Sequence, residues 1–73
     1  MSEEEFLKFN SWAVMFRDIA TLIVPRTVAP TIRDLAIWLK ENGYHSYQVI
    51  GVLRTSSIAQ ARTAALIVRG IMQ

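Results

Sequence analysis

Few side chains in this sequence could do covalent or acid–base chemistry, and they are scattered. There is no cysteine and one histidine, His45. The carboxylates are Glu3, Glu4 and Glu5 in one run, then Asp18, Asp34 and Glu41 singly. A general base must lie within hydrogen-bonding reach of a proton it can take. One histidine with a few scattered carboxylates offers no evident triad, and His45, at a turn, is expected to cover a helix end. A zinc site needs three or four nitrogen, sulfur or oxygen ligands, and one histidine without cysteine does not supply them. Three glycines form no phosphate-cradling loop. The sequence therefore predicts no catalytic residue, no cofactor, no metal and no small-molecule substrate. It predicts a protein that is not an enzyme.

Two other sets of residues suit recognition. The first is the polar and basic run "RTSSIAQAR", which offers Arg54, Thr55, Ser56, Ser57, Gln60 and Arg62. At the start of a recognition helix, glutamine and arginine can bond adenine and guanine edges, while hydroxyls bond phosphates. Read with the segment before it, this run suggests a helix-turn-helix that binds DNA. The frame is imperfect, because the turn lacks the usual glycine. Only two lysines are present, which limits attraction to a polyanion.

The second set is large and apolar: Phe6, Phe9, Trp12, Met15, Trp38 and Tyr47. Apolar residues make up 52% of the 73, and a domain of this length buries only about 60% of the surface its unfolded chain exposes. Without disulfides or a metal, the remaining support for so small a core is association. Aromatic side chains anchor protein interfaces, and each indole N–H needs a partner, which favours partly exposed tryptophans. The leading expectation is a regulatory or adaptor module that docks onto a protein partner or a second copy of itself, as a homodimer. DNA binding is the alternative.

Four helices are expected to position these residues, at about 3–24, 31–42, 46–54 and 57–71, in a single all-α domain spanning 1–73. Phe6, Phe9, Ala13, Phe16, Ala20 and Ile23 recur at spacings of three and four, the pattern of one helical face. Ser2 with Glu5 and Ser57 with Gln60 have the capping-box spacing. Thr31 with Asp34 suits an N-cap, and Pro25 should end the first helix. Gly43 can close the second helix in a left-handed conformation, with Tyr44 folding back over its end. Ile58, Ala61, Ala65, Val68 and Met72 form the stripe of the last helix.

The formal net charge is +2, from 8 basic and 6 acidic residues. It is unevenly spread: three of the acids lie within the first five residues, and none follows Arg54. The acidic start lacks the basic region of a signal peptide, and no apolar run approaches the length needed to span a bilayer. The expectation is a soluble, intracellular protein without a transmembrane segment. The stretch "LKENGY" followed by "QVIGVL" is similar to the first two helices of UBA-like three-helix domains. That resemblance covers under half the chain, and no ubiquitin-binding residue is carried across on it.

Overall fold

The computed structural model describes residues 11–53 and 58–73, with the backbone alone at 58–60. In chain order the elements are β1 (Ser11–Phe16), β2 (Leu22–Pro25), α1 (Ile32–Glu41), a 3₁₀ turn (Ser46–Gln48), β3 (Val49–Leu53) and α2 (Ile58–Met72). The three strands form one antiparallel sheet in the order β2-β1-β3. Both helices pack on the same face of it. This two-layer α/β arrangement overturns the expected all-α bundle of four helices.

The region expected to be the first helix is, from Ser11 onward, a β-hairpin. Trp12, Val14 and Phe16 are buried, with Val24 beside Trp12 and Leu22 beside Val14 across the strand pair. Aromatic and β-branched side chains favour this pleated, half-buried surface. The exposed turn from Arg17 to Thr21 reverses the chain. Pro25 then closes β2, an edge strand, where its missing N–H costs no ladder bond.

α1 begins where local chemistry places it. The Thr31 hydroxyl accepts from the Asp34 backbone N–H at 3.1 Å and donates to the Asp34 carboxylate at 2.8 Å. Its end is a Schellman closure: the N–H of Tyr44 donates to the Leu39 carbonyl at 3.1 Å and that of Gly43 to the Lys40 carbonyl at 3.3 Å. Gly43 has φ +86°, which lets the chain turn there. Tyr44 then stacks on Phe16 at 4.9 Å between centroids and on Trp38 at 6.4 Å, so it closes the helix end against the sheet.

The expected third helix, 46–54, is instead the 3₁₀ turn followed by β3. Gln48 accepts the His45 backbone N–H at 2.9 Å through Oε1, which holds this turn and points the chain into the strand. β3 pairs Leu53 with Ala13, Val52 with Val14 and Gly51 with Met15, then skips a residue to pair Val49 with Phe16. Ile50 is the extra residue of that bulge. The skip turns both Val49 and Val52 toward the helices, and both are buried. With a 3₁₀ turn and a strand over 46–53, the supporting helix of the expected helix-turn-helix is replaced. The UBA-like resemblance fails at the same place, since "QVIGVL" is largely strand.

The core lies between sheet and helices. Leu35, Ala36 and Leu39 of α1 and Ala61, Ala65, Val68 and Met72 of α2 are buried, and most of them cluster with Val14, Val24, Val49 and Val52. The small Ala61 and Ala65 let α2 approach closely to β3, over which it lies.

Candidate functional site

The helix layer consumes one side of every strand, and among the described residues no element packs on the other, the open face. By register, the open face carries Ser11, Ala13 and Met15 on the central strand. Ile23 and Pro25 flank it on one side, and Gly51 and Leu53 on the other. In a soluble two-layer fold this solvent side normally alternates to polar residues. Here, apart from the Ser11 hydroxyl, it is apolar throughout and carries no charge. Ile23 is 53% exposed, Ala13, Met15, Pro25 and Leu53 are half-buried, and Ser11 and Gly51 are buried.

The centre of this face is smoothed by one contact. Met15 folds its side chain over Gly51, so that a Cβ on that glycine would overlap the Met15 methyl. A flexible thioether thus fills the place where β3 lacks a side chain. The Leu53–Ala13–Ile23 row runs across all three strands beside it.

The residues singled out from the sequence are dispersed by the fold. Trp12 is in the core at 4% exposure, and its indole N–H donates to the Ala29 carbonyl at 2.6 Å. The Arg26 guanidinium lies 6.0 Å from the centroid of its ring. A tryptophan held in this way cannot anchor a docking surface. Trp38 is half-buried against Tyr44. Tyr47 is exposed in the 3₁₀ turn and stacks on His45 at 5.5 Å. Among the described members of the set, Met15 alone belongs to the open face of the sheet. Phe6 and Phe9 lie outside the described residues.

The alternative set falls mostly outside the described residues. Arg54, Thr55, Ser56 and Ser57 lie outside the described residues, as does the side chain of Gln60. Arg62 is exposed on α2. With β3 in place of a supporting helix, the helix-turn-helix geometry that would aim these residues at a groove does not exist.

A second apolar surface was missed in the sequence. α2 exposes Leu66 at 64%, Ile67 at 48% and Ile71 at 38%. They lie opposite the buried stripe, with Gly70 among them. Arg62 and Arg69 border Leu66 on one flank by helical spacing. The signal was present in "AALIV", where apolar residues fill more of the helix circumference than one buried stripe uses.

Among the described residues no group of three or more histidine, aspartate or glutamate side chains could hold a metal ion. No helix among them is long and apolar enough to cross a membrane. Comparison with known proteins gives no match: no family model fits the chain, and neither a characterised protein nor a solved structure is similar to it.

Proposed function

We propose that this chain is a non-enzymatic docking module that associates with a second copy of itself through the open face of its sheet. One observation carries the reading: the face of Ala13, Met15, Ile23, Pro25, Gly51 and Leu53 is apolar across three strands, with nothing among the described residues packed on it. Two such faces stack at about 10 Å and interdigitate their side chains. A two-fold axis sets identical patches against each other. With no charge on the patch, self-docking meets no like-charge repulsion. The gain is also the one a domain this small most needs, because burial of the face supplements a limited core.

The reading keeps the protein-docking expectation and moves its surface from an aromatic helix face to a sheet. Composition supports the non-enzymatic part, with one histidine and no cysteine in the chain. Sedimentation equilibrium over a range of concentrations tests it. The wild type should pass from monomer to dimer as concentration rises. Ile23→Lys should remain monomeric while keeping its helical and sheet signature, since Ile23 is exposed and outside the core. A wild type that is monomeric at every concentration would contradict the proposal, as would an Ile23→Lys protein that still dimerises.

A further inference from the structure

β3 is the terminal strand of the sheet, and among the described residues it pairs with β1 alone. Its outward N–H and C=O groups form a template for another strand. Natural edges are usually blunted by charge, proline or a bulge. The opposite edge, β2, is four residues long and ends in Pro25. β3 carries neither charge nor proline, and its bulge lies at one end, which leaves Gly51, Val52 and Leu53 in regular register.

The helix over this edge carries charge of one sign. α2 lies over β3 and α1 packs beside it, with Leu35, Ala36 and Leu39 of α1 in one core with Trp12 and Val14 of β1 and Val24 of β2. Ala64 packs against the core on one flank of α2. Helical spacing sets Arg62 and Arg69 on the opposite flank. With the right-handed sense that β–α–β crossovers between parallel strands of one sheet take as a rule, this second flank overhangs the edge of β3. No acid occurs anywhere in α2. On the other side of the sheet the edge continues into the apolar row that ends at Leu53.

We infer that the free edge of β3 accepts an extended peptide strand whose side chains alternate acidic and apolar. Main-chain bonds to β3 supply the pairing, and alternate side chains supply the selectivity. The acidic residues face Arg62 and Arg69 on the helix side, and the apolar residues extend the open face beyond Leu53. This edge is distinct from the face that carries self-association, so either activity can be lost without the other. A second copy fits the edge less well than such a peptide, because a two-fold axis there would oppose the same arginines.

The test uses the full chain, labelled with ¹⁵N, and synthetic peptides that alternate glutamate with valine. The glutamate peptide should shift and protect the amides of Val49–Leu53. A lysine–valine peptide should bind about tenfold more weakly or worse, and methylation of alternate peptide nitrogens should abolish binding. The double variant Arg62→Glu with Arg69→Glu should reverse the preference between the two peptides. Arg62 is exposed, and amide spectra of the free variant check that it folds; if it does not, Arg62→Glu alone carries the comparison. The inference is overturned if the peptides bind equally or not at all. It is also overturned if N-methylation has no effect, or if the shifts map to Ala13 and Ile23 and not to β3.

Discussion

The indole N–H of Trp12, on the central strand, donates to the carbonyl of Ala29 at 2.6 Å, seventeen residues further along the chain. This bond ties the sheet to the loop that leads into α1. Both ends are buried, so neither has water as an alternative partner. Trp12→Phe keeps an aromatic ring but strands the Ala29 carbonyl and leaves a void. The variant should lose about 2–4 kcal/mol of unfolding free energy. Urea denaturation followed by circular dichroism measures it, and a loss of a few tenths would show that the bond does not bear on stability.

Ser11 gives a prediction of the opposite sign. It is 5% exposed, and its hydroxyl oxygen is buried without a hydrogen-bond partner. A buried hydroxyl with no partner keeps its desolvation cost and gains nothing in return. Ser11→Ala should therefore leave stability unchanged or raise it by up to about 1 kcal/mol. A thermal melt that falls by several degrees would contradict this.

The glycines at the two helix ends separate backbone conformation from space. Neither Gly43 nor Gly70 would bring an added Cβ within 4 Å of another group. Gly43, at φ +86°, is strained by any Cβ, so Gly43→Ala should destabilise by about 1 kcal/mol and Gly43→Asn by less. Gly70 lies inside α2, where alanine is the better helix former. Gly70→Ala should stabilise by about 0.5–1 kcal/mol. The two melting temperatures, compared in one buffer, should move in opposite directions.

The helix ends were legible in the sequence because their chemistry is local. Thr31 with Asp34 and Gly43 with Tyr44 act over three or four residues, and the structure shows those bonds. The strands were hidden for a reason tied to the proposed function. On β1, Ala13 and Met15 should be polar if that side faced only water, and alternation would then have marked a strand. Both are apolar, so alternation vanishes, and the spacing of Phe9, Ala13 and Phe16 imitates a helical face. In β3 the bulge at Ile50 turns Val49 and Val52 to the same side, which breaks the period of two again. The open face could not be seen before the register was known, because Ile23, Met15 and Leu53 are distant in sequence.

Met15 over Gly51 makes a further check on that face. Gly51→Ala would push aside the end of a flexible side chain, not backbone, so the fold should tolerate it at a cost of about 1–2 kcal/mol. The displaced methionine would roughen the docking face. Dimer dissociation should rise more than unfolding stability falls, when sedimentation and urea titration are compared on the same sample.

The most direct measurement is an isotope-filtered NOE experiment on a mixture of ¹³C-labelled and unlabelled chains, at a concentration where association is complete. The account predicts intermolecular contacts among the methyl groups of Met15, Ile23 and Leu53. Contacts confined to Leu66, Ile67 and Ile71 would place the interface on α2. That result, or the absence of any intermolecular contact, would contradict docking through the open face of the sheet.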